Sequence, residues 1–407
     1  MNRSTVLLIT VASLGYFVDI YDLILFNIVK KESLLYLGFP ESEIKYYDAF
    51  LFRWQMGGML LGGILWGVMG DRRGRVAVLF GSILMYSLAN IANAYVWDIF
   101  SYQVIRFIAG IGLAGELGAG VTLVAETMPK EKRGYGTMII VSFGALGAVF
   151  AYLVADLFDW KAAYWVGGIM GLALLALRMG AHESGMFKNM ASEVNIRKGR
   201  FLDLFSNRER ALKYLRCIGM GLPVWFVVGV LVALCESYFE PVLGLTGDIE
   251  VAKAVLFCYI GLAVGDFASG FFSQIFRTRL RVVAGFLIVC LLCTLVYLFF
   301  SKGHSPAFFY SLCLLCGAGT GYWAMFVTIA AEQFGTNIRS TVASTVPNFV
   351  RGAVIPITFS FEVLANHPAM GPIPAALIVG GLCIGLALLS ALTLPETFSK
   401  ELDYFEV

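Results

Sequence analysis

Seven charged side chains interrupt long apolar stretches of the sequence, and these are the residues best placed to do chemistry. Where such a stretch crosses a lipid bilayer, a charge near its centre costs about 2.5–3.5 kcal/mol even on the most lenient scale. Each charge therefore needs a partner, a water-filled cavity or a function. The seven residues are Asp19, Asp22, Arg53, Arg106, Glu116, Asp266 and Arg351.

The carboxylates and arginines of the first half predict a proton-coupling site. Asp19 and Asp22 are three residues apart and so share one helix face. A rise of about 1.5 Å per residue puts Asp22, Arg53 and Arg106 at a similar depth, with Glu116 deeper. Burial favours the neutral carboxyl and a nearby arginine favours the charged form, so movement of the arginine would bind or release a proton. We expect Asp22 to be the proton carrier, with Glu116 as the second candidate. Arg106 is the expected partner whose movement modulates proton binding. The alternative is a static salt bridge that fastens the first, second and fourth helices.

A second group of residues predicts where a substrate binds. Arg351 lies midway along an apolar segment, and a fixed guanidinium suits a carboxylate through two parallel hydrogen bonds. Other candidates for the cavity wall are Tyr21, Tyr322, Trp323 and Asp266. Each has an ordinary alternative: an internal ion pair for Arg351, packing for the aromatic residues, and hydrogen bonds to helix ends for Asp266.

The composition shows which class of protein must position these residues. The 407 residues are 59% hydrophobic and 14% charged, whereas a soluble chain carries about 25% charged residues. This argues against a water-soluble enzyme, and a net charge of +2 with scattered basic residues argues against a nucleic-acid binder. A porin-like barrel would show alternating segments of about ten residues. The composition thus predicts an all-α membrane protein.

The eight cysteines predict packing and no metal site. Cys290, Cys293, Cys313 and Cys316 match a zinc-ligand spacing. Both pairs lie inside apolar runs, where cysteine behaves as a small hydrophobic residue. No Ser/His/Asp or metal constellation converges, so we expect neither an enzyme nor a cofactor, with a proton as the coupling ion.

Twelve apolar segments are each about long enough to cross a ~30 Å hydrocarbon core. They predict an N-terminal six-helix bundle (1–181), a linker loop (182–213) and a C-terminal six-helix bundle (214–407). The eleventh segment contains Pro347 and Pro356, which neighbouring helices can accommodate. The segments are 5–29, 46–70, 75–95, 99–127, 134–157, 161–181, 214–240, 251–276, 281–301, 305–334, 338–366 and 372–395.

Lysine and arginine between these segments predict the orientation. With the N-terminus inside, 21 of the 30 basic residues fall on the inner side, 6 on the outer side and 3 within spans. Because inner loops are the basic ones in membrane proteins, both termini are expected in the cytoplasm.

An offset of 206 residues relates the two halves. Arg75 then falls on Arg281, and the segment 122–134 falls on 328–340, with Glu126 on Glu332 and Arg133 on Arg339. Charged matches at one offset indicate duplication of a six-helix unit. Such repeats are typical of transporters that bind substrate at the midplane between halves.

The loop after the second segment reads GVMGDRRGR (67–75), a tight turn held by basic residues. With Gly67, Asp71, Arg72, Gly74 and Arg75, it resembles the signature loop of the major facilitator superfamily and occurs where that family has it. The resemblance implies that Asp71 docks against the other half and steadies the outward-facing state. It extends to the conformational residues Glu126, Arg133, Glu332 and Arg339.

Other motifs suggest a branch of that family. HES (182–184), with His182 in place of a proline, and PET (395–397) resemble marks of the sugar-porter-like branches. GELGAG around Glu116 and NFVRGAVIP around Arg351 are more similar to metabolite–proton symporters and organic-ion transporters.

We therefore expect a secondary transporter that couples proton entry to import of a small anionic or zwitterionic metabolite. The alternatives are a facilitative uniporter, a sugar or organic-cation transporter with structural ion pairs, and a membrane-embedded enzyme or sensor. The expected partners are a small-molecule substrate and the lipid bilayer, without nucleic acid. We expect a multi-pass monomer in the plasma membrane or bacterial inner membrane.

Overall fold

A computed structural model describes residues 3–178, 184–192 and 197–406 of the chain. We number its long helices α1 to α12 and count a helix interrupted within the bundle as one. They are α1 Arg3–Tyr36, α2 Glu41–Arg73, α3 Arg75–Asn93, α4 Ile99–Leu113 with Glu116–Thr127, α5 Arg133–Leu157, α6 Trp160–Leu177, α7 Arg208–Phe226, α8 Val251–Phe276, α9 Leu280–Phe300, α10 Pro306–Thr320 with Trp323–Glu332, α11 Arg339–Gly352 with Val354–Ala365, and α12 Pro372–Thr393.

Eleven of these helices are long and apolar enough to cross a membrane, counted over the described residues. The remaining one, α2, is equally long but richer in glycine and charged residues, which lowers its mean hydropathy. It packs along α4, where Gly58 and Gly62 face backbone atoms of the neighbouring helix. The predicted twelve-helix membrane fold is confirmed.

Several helices extend past the predicted segments. The segment 5–29 lies within a helix that runs to Tyr36, and α7 starts at Arg208, six residues before the predicted 214. Apolar patterning marks only the part of a helix in hydrocarbon, and capping residues set its ends. Asp98 accepts a hydrogen bond from the Ser101 N–H at the start of α4, and Asn207 accepts one from the Glu209 N–H at the start of α7.

The expected linker 182–213 is partly helical where it is described. It holds a short helix, Gly185–Ser192, and a 3₁₀ turn, Phe201–Phe205. His182 of the predicted HES mark lies outside the described residues.

Four helices are irregular near the middle of the bundle. The helix α4 breaks at Gly115 and α10 breaks at Gly321, two positions that the 206-residue offset relates. The helix α11 breaks at Ala353, three residues before Pro356, which has no N–H to donate. Pro223 lies within α7, which continues as π-helical turns over Val227–Val232. Irregular backbone at this depth is tolerated where it is buried in protein or lines a cavity.

The two six-helix halves are closed at one face and open at the other. We call the face at which the chain begins and ends the terminus face. There α2 packs on α11, and α5 packs on α8 and α10. Towards the opposite face a cleft of about 1080 Å³ separates the halves, with Ile24, Arg53, Val228, Val255 and Glu362 among its wall residues.

Candidate functional site

A small chamber lies between the halves, next to the cleft. Its wall comes from α1, α5, α7, α8, α10 and α11, and Trp225 and Val228 border both cavities. The wall is mostly aliphatic and aromatic, with Tyr16, Tyr259 and Trp323 among the aromatic members. Arg351 is the one charged side chain among the described residues of this wall. The chamber wall therefore offers apolar and aromatic surface beside one fixed positive charge.

Arg351 ends the first segment of α11, just before the break at Ala353, and its side chain is buried. Its Nη2 atom lies 3.5 Å from Asp19 Oδ2 and 3.5 Å from the Tyr16 hydroxyl, and its Nη1 lies 3.5 Å from Asn348 Oδ1. Bonds between an arginine and a carboxylate are usually about 2.7–2.9 Å long. The Asp19 Oδ1 atom has no hydrogen-bond partner in the described part of the chain. Both members of this pair between the halves thus keep unused hydrogen-bonding capacity.

Two tryptophans add polar groups to the chamber wall. The indole N–H groups of Trp225 and Trp323 are buried and find no acceptor among the described residues. Trp323 begins the second segment of α10, and Asp266 Oδ1 accepts a hydrogen bond of 2.8 Å from the Ala324 N–H. Asp266 therefore fixes the helix start that carries Trp323, and two indole N–H groups of wall residues remain without an acceptor among the described residues.

The two tyrosines expected in the cavity wall lie elsewhere. The Tyr21 hydroxyl donates to the Ala163 carbonyl on α6 at 2.7 Å, and the Tyr322 hydroxyl donates to the Met220 carbonyl on α7 at 2.9 Å. Neither belongs to the described wall of the chamber. A buried phenol needs a partner for its hydroxyl, and a backbone carbonyl satisfies each of these. Both tyrosines join neighbouring helices.

The structure brings Asp22 and Arg106 together inside the first half. Arg106 Nη1 lies 3.8 Å from Asp22 Oδ1, both side chains are buried, and the guanidinium stands 4.5 Å from the Phe26 ring centroid. Arg53 does not join them. Its side chain is exposed and lines the cleft. The rise per residue gives the depth of a residue in the membrane, but not the direction in which its side chain points around the helix axis. Arg53 therefore does not contact Asp22, although the two residues were predicted at a similar depth.

Glu116 pairs with an arginine that sequence analysis missed. Arg178 forms a two-pronged salt bridge with Glu116, and also donates to the carbonyls of Leu79 and Val11 at 3.3 Å each. Sequence analysis counted Arg178 among the basic residues of the inner side, because it lies near the end of the segment 161–181. Its long side chain turns back into the bundle, so the expected partnership of Glu116 with Arg106 is replaced by a pair that joins α4 to α6.

At the terminus face, Asp71 caps a helix of the other half. Its Oδ1 accepts from the Ser340 N–H at 3.0 Å, and its Oδ2 accepts from the Thr341 N–H at 2.9 Å and the Thr341 hydroxyl at 2.7 Å. Gly67 permits this approach, because a Cβ there would lie 2.7 Å from Thr341 Cα. Gly74 has a φ of 104°, which favours glycine at the turn. Arg72 donates to the Lys198 carbonyl.

A buried cluster of charges lies beside Asp71. Glu126 accepts from Arg75 Nη2 at 2.8 Å and from Arg339 Nη1 at 3.0 Å, so it links the two halves. In the second half, Glu332 accepts from Arg279 at 2.6 and 2.8 Å. The second half thus contains an arginine–glutamate pair like that of the first half. The 206-residue offset matched Arg75 to Arg281, whereas the arginine that pairs with Glu332 is Arg279.

Arg133 also contributes to the terminus face. Its Nη1 donates to the Lys400 carbonyl at 2.9 Å. Because Lys400 belongs to the segment after α12, this bond connects α5 of the first half to the C-terminal end of the chain.

Comparisons with known proteins agree with this geometry. The family model of the Major Facilitator Superfamily matches residues 12–358. The chain is 26% identical to the putative niacin/nicotinamide transporter NiaP of Bacillus subtilis (strain 168), over 97% of each chain. It is 24% identical to the gentisate transporter of Corynebacterium glutamicum, over 94% of this chain and 86% of the relative.

Among solved structures, the proton:xylose symporter XylE matches with a TM-score of 0.73 at 17% identity, over 98% of each chain. The closed terminus face, the chamber between two repeated halves and a family match over most of the chain lead to one conclusion. The chain belongs to the Major Facilitator Superfamily and is a multi-pass membrane transporter.

Proposed function

We propose that this transporter imports a small ring-containing carboxylate together with a proton. The observation that carries the proposal is Arg351, a buried cation whose three hydrogen-bond contacts are all 3.5 Å long, in a mostly apolar and aromatic chamber. A carboxylate could take two short hydrogen bonds from this guanidinium while its ring packs against Trp225 and Trp323. Relatives named for niacin and gentisate transport support this substrate class.

The distribution of basic residues predicts which side of the membrane the cleft faces. If the terminus face is cytoplasmic, as the charge distribution predicts, the cleft opens outwards and the structure is in the outward-open state. Asp71 and the charges around Glu126 then close the inner side. Substrate would enter through the cleft past Trp225 and leave after these contacts separate.

The proton provides the driving force in this proposal. One proton moving down a gradient of one pH unit releases about 1.4 kcal/mol, enough for about tenfold accumulation of a substrate. Helix α1 supplies two buried carboxylates, Asp19 and Asp22, each with an arginine partner. A monomer holds the complete chamber, and the mechanism uses no cofactor besides the proton.

Facilitated uniport with structural ion pairs is the second candidate. The observation in its favour is the pair between Glu116 and Arg178, which lies wholly within the first half and fastens helices together. Uniport and symport differ in one respect, since only symport accumulates substrate against its own gradient.

Thermal stability of the purified protein tests the substrate class. Nicotinate should raise the melting temperature, whereas nicotinamide, the neutral amide, should not, because ligand binding stabilises only through its affinity for the folded state. Arg351→Gln should lose the response to nicotinate. Arg281→Gln removes the same charge from an exposed position and should keep it. Equal responses to acid and amide would contradict recognition through a carboxylate.

A further inference from the structure

We infer that Asp19 and the substrate carboxylate compete for Arg351, so that Asp19 takes up one proton each time substrate binds. This inference rests on the proposed function and deepens it by assigning the coupling step to one ion pair. The pair is distinguished by its position: Asp19 belongs to α1 in the first half, Arg351 belongs to α11 in the second half, and Arg351 also forms part of the chamber wall.

The loose geometry of the pair makes exchange feasible. A single contact of 3.5 Å joins Arg351 Nη2 to Asp19 Oδ2, and Asp19 Oδ1 has no partner among the described residues. By comparison, Arg279 and Glu332 form two bonds of 2.6 and 2.8 Å. An incoming carboxylate can therefore offer Arg351 two better bonds than it gives up.

The other charged and titratable groups around Asp19 leave Arg351 as its counter-ion. Arg106 is paired with Asp22, and Arg178 is paired with Glu116. The remaining groups near the pair are acids or phenols, and so cannot neutralise a carboxylate: Tyr16, Tyr86, Tyr259 and Asp266. Among the described residues, no second arginine is available as a counter-ion for Asp19.

The step balances in charge and in protons. The substrate carboxylate binds Arg351, the Asp19 carboxylate leaves it, and a proton from the outside solution that reaches the cleft adds to Asp19, because a buried carboxylate without a counter-ion favours its neutral form. No bond of the substrate forms or breaks. One monoanion and one proton enter together, so the loading step is electroneutral. On the other side, loss of the proton lets Asp19 take Arg351 back and expel the substrate.

Asp22 does not have the geometry for this exchange. Its partner Arg106 lies in the same half, and neither residue belongs to the described wall of the chamber. A substrate in the chamber therefore has no contact through which to displace Asp22. The inference moves the coupling role from Asp22, the first choice of the sequence analysis, to Asp19.

Proton uptake on binding is the first test. Nicotinate, benzoate or gentisate is added to purified full-length protein in a weakly buffered solution with a pH-sensitive dye. About one proton should be taken up per bound acid by the wild type and by Asp403→Asn, a control at an exposed carboxylate, and none by Asp19→Asn. Undiminished uptake by Asp19→Asn, or binding to the wild type without proton uptake, would overturn the inference.

A ligand-free test covers the case in which no acid binds. Infrared spectra should show a protonated-carboxyl band in Arg351→Gln that is missing both from the wild type and from the charge-balanced double variant Asp19→Asn/Arg351→Gln. Spectra without this difference would overturn the inference. If none of the acids binds the wild type, the proposed substrate class fails, while the infrared comparison still decides whether Asp19 depends on Arg351.

Discussion

Arginine–carboxylate pairs in this transporter fall into two kinds that differ in contact length. Arg279 and Glu332 are held by two short bonds, and Glu116 is held by two prongs of Arg178. Arg351 and Arg106 make only long contacts, of 3.5 and 3.8 Å, and of these two arginines Arg351 is the one that lines the chamber. Short buried pairs are costly to separate because both charges lose their compensation. The two kinds therefore separate residues that fasten helices from a residue that can exchange partners.

Replacing Arg351 tests its role as the substrate anchor. Arg351→Lys keeps the charge but loses the planar fork, so affinity for nicotinate should fall about tenfold. Arg351→Gln also loses the charge, and the fall should reach about 100-fold, near the upper range of a charge-assisted hydrogen bond. Calorimetric titration of the three proteins measures both changes. Unchanged affinity in Arg351→Gln would remove this residue from the site.

Replacing Glu116 tests whether its pair is structural. Glu116→Gln leaves Arg178 charged and buried, so stability should fall by about 3–5 kcal/mol. The double variant Glu116→Gln/Arg178→Gln should recover part of the loss, because it leaves no unpaired charge. Melting temperatures of the three proteins provide the measurement. A stable Glu116→Gln protein that transports without proton coupling would instead place Glu116 in the proton path.

Among the elements, α11 receives several of the hydrogen bonds that close the terminus face. Asp71 accepts hydrogen bonds from residues at its first turn, and Asn348 donates to the Ala114 carbonyl at the break of α4. The same helix carries Arg351 at the chamber. The proposed substrate anchor and the closure of the terminus face thus lie on one segment, Arg339–Gly352, which can transmit a change at Arg351 to that face.

Asp71→Asn should shift the balance between the two open states. The change removes a charge from the start of α11 and one of the accepting oxygens, which should cost the closed terminus face about 1–2 kcal/mol. Ser344 is buried at the closed terminus face, so a cysteine placed there should be alkylated several-fold faster in Asp71→Asn. The affinity for nicotinate should change only a few-fold. Asp403→Asn, exposed at the same face, serves as the control. Slow alkylation with a large loss of affinity would assign Asp71 to binding.

The chain after α12 forms a strap across the terminus face. The Thr336 N–H donates to the Tyr404 carbonyl at 2.8 Å, and the Thr336 hydroxyl donates to the Leu402 carbonyl at 3.0 Å. Glu406 pairs with Lys213 at 3.3 Å, and Glu401 pairs with Lys130 of the first half. The strap therefore contacts both halves on the side that must open during transport.

Removal of residues 401–407 should loosen the terminus face more than loss of any one strap charge. Lys130→Gln breaks a solvent-exposed pair and should change stability by no more than about 1 kcal/mol. Truncation also removes the backbone hydrogen bonds and the buried Leu402. A cysteine at Ser344 should therefore be alkylated faster in the truncated protein than in Lys130→Gln. If truncation and Lys130→Gln have the same effect, the strap contributes only through its charges.

At the scale of the whole molecule, the sequence predicted the helices and the repeat. It did not predict the direction in which individual side chains point from each helix. Twelve apolar segments and a 206-residue repeat predicted the bundle, and the repeat relates the helix breaks at Gly115 and Gly321. Apolar patterning gives depth along a helix, but rotation about its axis depends on packing between helices. This is why Arg53 faces the cleft and Tyr21 points into a helix contact.

The sequence also could not predict which carboxylate pairs with each buried arginine. Arg178 follows an apolar helix, so its chain position indicated a loop, yet the side chain reaches Glu116. Arg351 was expected as a substrate anchor, but its contact with Asp19 joins segments 332 residues apart. Contacts of this kind depend on how the two halves dock, which no local pattern encodes.

Uptake by liposomes containing the purified transporter tests the central claim of proton-coupled import most directly. With nicotinate at equal concentration on both sides and the exterior one pH unit more acidic, the wild type should accumulate nicotinate about tenfold, since one pH unit corresponds to about 1.4 kcal/mol. A protonophore should abolish this accumulation, and neither protein-free liposomes nor Arg351→Gln should show it. Equilibration at the same level with and without the pH gradient would contradict proton coupling.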